Sequence, residues 1–231
     1  MGTVPPDLLD GVRDAAPLHL GLVPFGLVAG VAAVEQGLSV LHAIGFSSIV
    51  FAGASQLAMI ELLGADAPLA IVIGTAVMVN LRMMMYSASI APYFRKFATR
   101  SKTLASYLLT DQAYALSIAR YDHDTGTDRL AYYIGVAASL WVVWQSSTIA
   151  GAFLGESLPP EWGFEFAAPL VFLALLVPTL KDRASTASGL TGGVVAVAVV
   201  VAGVPFHADI MIAAVVGVAV GLFVDSRGGA A

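Results

Sequence analysis

Hydrophobic positions along this chain come in blocks rather than in stripes. Eight apolar stretches can be read, over residues 15–34, 40–63, 68–94, 103–119, 130–154, 166–180, 188–204 and 209–224. Residues 166–179 and 184–207 carry no charged side chain at all. A helix rises ~1.5 Å per residue, so roughly 20 residues cross a bilayer core of ~30 Å. The pattern predicts an all-α fold: a polytopic transmembrane helical bundle of about seven full spans plus interrupted or re-entrant segments. Residues 15–225 read as a single membrane domain, with tails at 1–14 and 226–231. Asp7, after Pro5-Pro6, is placed to cap a short interfacial helix carrying Leu8, Leu9 and Val12.

The polar residues inside these blocks carry the candidate chemistry. Arg82 lies near the middle of block 68–94, where a charge costs at least ~2.5–3.5 kcal/mol. It is either a structural arginine with a buried partner or an arginine lining a polar pathway. Asn80 lies about 200° from it around a regular helix, so the two face one cavity only if the backbone is broken. Block 40–63 contains Phe51-Ala52-Gly53-Ala54-Ser55-Gln56, whose small and polar residues can unwind a helix and present backbone groups to a ligand. Packing alone also explains Gly53, but Gln56 would leave an unpaired amide if it faced lipid. Block 103–119 is interrupted by Thr110-Asp111-Gln112. Tyr107, Asp111 and Tyr114 fall at i, i+4 and i+7, an inward-facing stripe in which both tyrosines can donate to the carboxylate. Asp111 is the expected counter-charge of Arg82. In the first block, Pro24 among Gly21, Gly26 and Gly30 predicts either a packed, kinked helix or a helix broken at a binding site. Gly189, Gly192, Gly193, Gly217 and Gly221 give the last two blocks small-residue packing faces.

Charge adds a topological constraint. The most basic loop spans residues 95–102, and a second basic connector spans 181–183. Three full crossings between them would put the two on opposite sides, against the positive-inside rule. The conflict disappears if block 103–119 crosses only in part. Residues 95–102, 120–129, 181–183 and Arg227 are then cytoplasmic, and the acidic loop at 155–165 is outside.

Composition narrows the function classes. Hydrophobic residues make up 58% of the 231 and charged residues 12%, about half the usual share, and mean hydropathy is +0.84. Net charge is −5 with scattered basic residues, which argues against nucleic acid as a partner; the long apolar blocks make the lipid bilayer one. The absence of cysteine excludes thiol chemistry and cysteine-held metal clusters. His19, His42, His123 and His207 are too dispersed to form a ligand pair, so neither a metal nor another cofactor is expected. No Gly-x-x-x-x-Gly-Lys loop is present, and neither His-Glu-x-x-His nor paired aspartates suggest an intramembrane enzyme.

Taken in order, Gly21-Leu-Val-Pro24-Phe25-Gly26, Phe51-Ala-Gly53-Ala-Ser55-Gln56, Asn80-Leu-Arg82 and Thr110-Asp111 resemble the azaleucine-resistance (AzlC-type) branched-chain amino-acid exporters. Phe164-Glu165-Phe166, Leu175-Leu-Val-Pro178 and Lys181-Asp182-Arg183 resemble that family's second half. The resemblance covers about residues 10–225. It implies an inner-membrane exporter of small hydrophobic amino acids that works with a small hydrophobic AzlD-type partner subunit. Met83 stands where the family often has histidine, and Gln112 where it often has an acidic residue. In that reading Arg82 binds the substrate carboxylate and Asp111 its ammonium, with Met78, Met83–Met85 or Phe51 against the side chain. Proton coupling stays open. The alternatives are a non-transporting assembly subunit and an intramembrane enzyme. The pathway residues expected from all this are Arg82, Asp111, Asn80, Gln56, Ser55, Gly53, Pro24, Tyr107 and Tyr114.

Overall fold

The computed structural model describes residues 5–123, 126–157, 180, 182–203 and 209–228. The apolar block at 166–180, apart from Leu180, lies outside the described residues, as do most of the acidic loop, Lys181 and His207. All regular structure among the described residues is helical: α1 (Pro6–Glu35), α2 (Val40–Val50), α3 (Gly53–Gly64), α4 (Leu69–Ile90), a 3₁₀ turn (Ala91–Phe94), α5 (Thr99–Tyr107), α6 (Asp111–His123), α7 (Arg129–Ser157), α8 (Arg183–Val201) and α9 (Asp209–Gly228). Five described helices are long and apolar enough to cross a membrane: α1, α4 with its 3₁₀ turn, α7, α8 and α9. The chain is an all-α, polytopic membrane protein.

α1 departs from expectation at its start, and along its length it is the packed helix and not the broken one. It starts at Pro6, so most of the supposed tail is already helix, and it runs unbroken through Pro17 and Pro24. Proline at the first helical position loses no bond, because that N–H would have had no partner. Asp7 does not cap its own helix. Its carboxylate accepts the Asp128 N–H at 3.0 Å, and Asp128 Oδ1 accepts the Ala131 N–H at 3.2 Å to cap α7. Asp10 pairs with Arg120 at 3.6 Å, and Tyr132 donates to Asp14 at 2.8 Å. Three carboxylates on one face of α1, at i, i+3 and i+7, thus tie its first turns to α6 and α7.

The centre of the molecule is the long parallel pair α1 and α7, which meet backbone to backbone. A Cβ on Gly30 would collide with the Thr148 carbonyl, and one on Gly151 with the Leu27 carbonyl. Gly26 and Gly135 are confined in the same way by Ser147 and Leu8. Without a hydrophobic drive in lipid, such close approach is what lets two helices hold together by dispersion. Tyr132, Tyr133, Val136, Ala137 and Leu140 of α7 are buried against this seam and its neighbours.

α8 and α9 form a second pair. Gly217 and Gly221 lie against Ser188, and Gly217 also lies against Gly192, whereas Gly193 faces open space. The Asp182 carboxylate caps α8 by accepting the Ser185 N–H at 2.7 Å. Hydrogen bonding from the Ser185 N–H, and then from the Ser185 side chain, holds the Asp182 carboxyl below the usual carboxylate range.

The two blocks that carried polar interruptions are each broken in two. Block 40–63 is not one span but α2 and α3, of 11 and 12 residues. Block 103–119 falls across α5 and α6, of 9 and 13 residues. At ~1.5 Å per residue none of the four exceeds about 20 Å, too short to cross alone.

Candidate functional site

A broken helix must find new partners for its orphaned backbone groups. At the C-terminal end of α2, the Ser47 carbonyl accepts from Phe51 N–H and also from Gln145 Nε2 at 3.2 Å. The Ser48 carbonyl accepts from the Tyr107 hydroxyl at 2.5 Å, which itself accepts from Trp141 Nε1 at 2.9 Å. Trp144 Nε1 donates to the Ser47 hydroxyl at 3.0 Å. Side chains of α5 and α7 therefore cap α2 and fix where it stops. α3 restarts at Gly53 with no side-chain cap on its first-turn amides. In the second break, α5 ends at Leu108 and the Thr110 hydroxyl accepts the Ala113 N–H at 3.2 Å, starting α6. Asp111 thereby occupies the first turn of α6, where the helix dipole favours a carboxylate.

Both breaks open on one cavity of about 700 Å³. Phe51 to Ala54 border it from the first break, and Thr110 to Gln112 from the second. α4 contributes Arg82 and Met83, α1 contributes Gly21, Leu22 and Phe25, and α7 contributes Leu140 and Trp144. Arg82 Nη2 and Asp111 Oδ2 are 3.0 Å apart. Their side chains are 42% and 36% exposed, so the pair can be reached from the cavity and is not sealed in a core. Arg82 Nε and Asp111 Oδ1 are covered and have no hydrogen-bond partner among the described residues. Tyr86, one turn beyond Arg82, lies within electrostatic reach of both charges and stacks on Tyr114 at 4.5 Å between centroids. Opposite, Phe25 meets Trp144 edge to face at 5.2 Å. A Cβ on Gly53 would fall 2.8 Å from Phe25 and 2.9 Å from Trp144, so only glycine lets these rings close over the break.

The expected residues divide clearly. Arg82, Asp111 and Gly53 border the cavity together. Asn80 and Ser55 do not; they bond each other at 2.9 Å between α4 and α3. Because α4 is regular, Asn80 and Arg82 do point to different partners. Gln56 is buried, and neither end of its amide has a partner among the described residues. Pro24 is exposed on the far side of α1 and borders nothing in the site. The i, i+4, i+7 stripe does not exist, because the chain breaks between Tyr107 and Asp111. Neither tyrosine donates to the aspartate: Tyr107 serves Ser48, and Tyr114 donates to the Ser89 hydroxyl at 2.9 Å. Met84 and Met85 are exposed on the outside of α4, leaving Met83 as the methionine of the wall. Phe25, Leu140 and Trp144 went unnoticed as wall residues, since an aromatic in an apolar helix does not announce which way it faces. Tyr86 had a signal, its i+4 spacing from Arg82.

A family model described as AzlC protein matches residues 17–158, the stretch from α1 to the end of α7 that holds every described residue bordering the cavity. The chain is 28% identical over 183 residues to the inner membrane protein YgaZ of Escherichia coli strain K12, covering 77% of this chain and 75% of that one. It is 30% identical over 192 residues to an uncharacterized membrane protein of Archaeoglobus fulgidus, covering 81% and 82%. An uncharacterized membrane protein of Helicobacter pylori strain J99 is 26% identical over 196 residues, covering 83% and 85%. No solved structure matches.

Proposed function

The chain belongs to the AzlC protein family, and from that premise we propose that it is a secondary transporter exporting small apolar amino acids across the inner membrane. A membrane transport-related role follows from the family; the substrate class is our reading of the cavity. One observation carries it. The Arg82–Asp111 pair, 3.0 Å apart and more than a third exposed, borders a cavity walled by Phe25, Phe51, Leu140 and Trp144. A free amino acid with an apolar side chain has the complementary features. Its carboxylate suits the planar guanidinium, its ammonium suits Asp111, and its side chain suits the aromatic wall. The volume lies within the usual range of small-molecule sites, about 300–1,000 Å³. In this reading the pair holds the substrate and does not transform it, so the protein is a carrier and not an enzyme. Met83 and Gln112 beside the pair do not titrate, so neither neighbour supplies a proton site. The relatives' names, inner membrane protein and membrane protein, support the location.

The proposal includes a small hydrophobic AzlD-type partner subunit, supported by family resemblance alone. The glycines of α8 and α9 do not add to that support, because Gly217 and Gly221 are already used against α8. The test is reconstitution of the purified chain in proteoliposomes, with and without the partner. Efflux of leucine, isoleucine and valine, with counterflow by unlabelled apolar amino acids and none by glutamate or lysine, is expected. Properly folded protein that moves no apolar amino acid in either preparation would overturn the proposal.

A further inference from the structure

A second cavity, of about 460 Å³, lies one turn further along α4, between its 3₁₀ turn, α5 and α7. Its polar border is formed by Ser87, Arg95, Lys102 and Ser106, and its apolar border includes Ile90 and Leu109. No acidic residue occurs between Asp66 and Asp111, while that interval holds five basic ones, Arg82, Arg95, Lys96, Arg100 and Lys102. In a chain of net charge −5 this is a strong local excess of positive charge. Among the described residues neither Arg95 nor Lys102 has a carboxylate partner. Lys102 spends one hydrogen bond on the Arg95 carbonyl, at 3.0 Å, which draws both cations to the same rim and leaves the ammonium two donors. The floor is fixed: Tyr133 donates to the Ala105 carbonyl at 2.7 Å, and Phe94 meets the Tyr133 ring edge to face at 5.2 Å.

We propose that this cavity binds the headgroup phosphate of an anionic phospholipid, with Arg95 and Lys102 on the phosphate, Ser87 donating to an ester oxygen, Ser106, whose own hydrogen goes to the Lys102 carbonyl, accepting from a headgroup hydroxyl, and the acyl chains leaving past Ile90 and Leu109. Unpaired cations at the rim of an amphiphilic recess at a helix end offer what such a lipid needs, an anion site and an apolar exit together. A soluble phosphate would use only half of it. The site is independent of the transported substrate, but it adjoins the first cavity: Leu109 borders one and Thr110 the other. A bound lipid would therefore brace the α5–α6 break from behind.

The test uses the full chain purified in detergent, then exchanged into phosphatidylglycerol or phosphatidylcholine. Native mass spectrometry is expected to retain one phosphatidylglycerol per chain, and thermal stability to rise with that lipid but not with phosphatidylcholine or glycerol 3-phosphate. Arg95→Gln and Lys102→Gln should each weaken retention about five-fold, and the double variant about 25-fold. Lys96→Gln, which does not border the cavity, should leave it unchanged. If the variants fail to fold, photocrosslinking of a phosphatidylglycerol analogue to the natural chain decides, with adducts expected within residues 87–109. Adducts elsewhere, equal retention of phosphatidylcholine, or unchanged retention by the double variant would overturn the proposal. So would a double variant that loses transport equally in phosphatidylcholine alone, which would make the cavity a vestibule of the substrate path.

Discussion

The α1–α7 seam and the two broken blocks solve opposite problems with the same restricted material. Along the seam both helices run unbroken, and glycine at Gly26, Gly30, Gly135 and Gly151 allows the two axes to close. In the broken blocks the helices stop short; the Ser48 carbonyl is taken by Tyr107, and the Ser47 carbonyl, which already accepts from Phe51 N–H, takes a second bond from Gln145. Trp141, Trp144 and Gln145 reach the α2 break, or the tyrosine that caps it, from α7, the helix that forms the seam. A rigid pair thus serves as the frame on which an irregular, polar region can be held open without unravelling. Changes to the frame should abolish the fold, and changes to the broken region should abolish transport while largely sparing it.

The largest effect is expected from the frame. Gly30→Val or Gly151→Val drives a side chain into a facing carbonyl that belongs to a helix backbone and cannot swing away. Overpacking of this kind costs about 3 kcal/mol, and here it would separate the helices that carry the site. Expression as a monodisperse species by size exclusion in detergent should be lost. Gly45 in α2 meets nothing within 4 Å, and Gly45→Ala should leave the elution profile and Tm intact. Equal tolerance at both sites would break the distinction between frame and broken region.

Next comes the charge pair. Arg82→Ala is expected to lower amino-acid efflux by at least about 100-fold, the loss expected when a charge-assisted contact of roughly 3 kcal/mol is removed. Because both side chains are more than a third exposed, solvent screens the pair, and its loss should cost at most about 1 kcal/mol of stability. Arg82→Lys should retain charge and Tm but recover little transport, since an ammonium cannot offer the bidentate fork. Reversing both charges should restore Tm and leave transport lost, because substrate would meet each end of the pair with the wrong group. Wild-type flux in Arg82→Ala would remove the pair from the transport path.

The capping residues should give smaller, graded effects. Tyr107→Phe leaves the Ser48 carbonyl without its hydroxyl donor and Trp141 Nε1 without an acceptor. Gln145→Ala removes the amide on Ser47. Each should cost about 1 kcal/mol and slow efflux several-fold through displacement of the α2 end. A double variant tests whether the two caps act on one break: coupling between them is expected, whereas strict additivity would mean independent roles.

How much of this could be read from the residues depends on what kind of signal each fact left. The membrane class and the two interruptions were legible, because a charge or an amide in an apolar block is costly enough to require a reason. The meeting of Arg82 with Asp111 was legible for the same reason, since two isolated opposite charges in such blocks have few other partners. The face shared by Tyr107, Asp111 and Tyr114 was misread because it assumed one continuous helix. The break lies between the first two, and it is set by Thr110 capping α6 and by Tyr107 being drawn to α2. The aromatic wall of Phe25 and Trp144 left no sign in a sequence where most neighbours are equally apolar. The seam was partly visible in Gly26 and Gly30, but Gly135 and Gly151 of its partner, α7, stand singly in an apolar block and gave no comparable signal.

The smallest effect is predicted for the residue whose sequence signal was loudest. Pro24 stands amid three glycines, the composition of a broken helix, yet α1 passes through it without interruption. Its ring removes one N–H, which in a regular helix would have bonded the carbonyl of Leu20. That loss is local: Pro24 is exposed, the adjoining seam is set by Gly26 and Gly30, and the cavity border uses Gly21, Leu22 and Phe25 instead. Pro24→Ala should therefore restore one helical bond and shift stability by no more than about 0.5 kcal/mol, in the stabilising direction. Efflux should stay within about two-fold of the natural chain. A rise in Tm together with a large fall in efflux would give a different picture, in which α1 must bend at Pro24 during the transport cycle. In that case the frame would itself be a moving part, and its separation from the broken region would not hold.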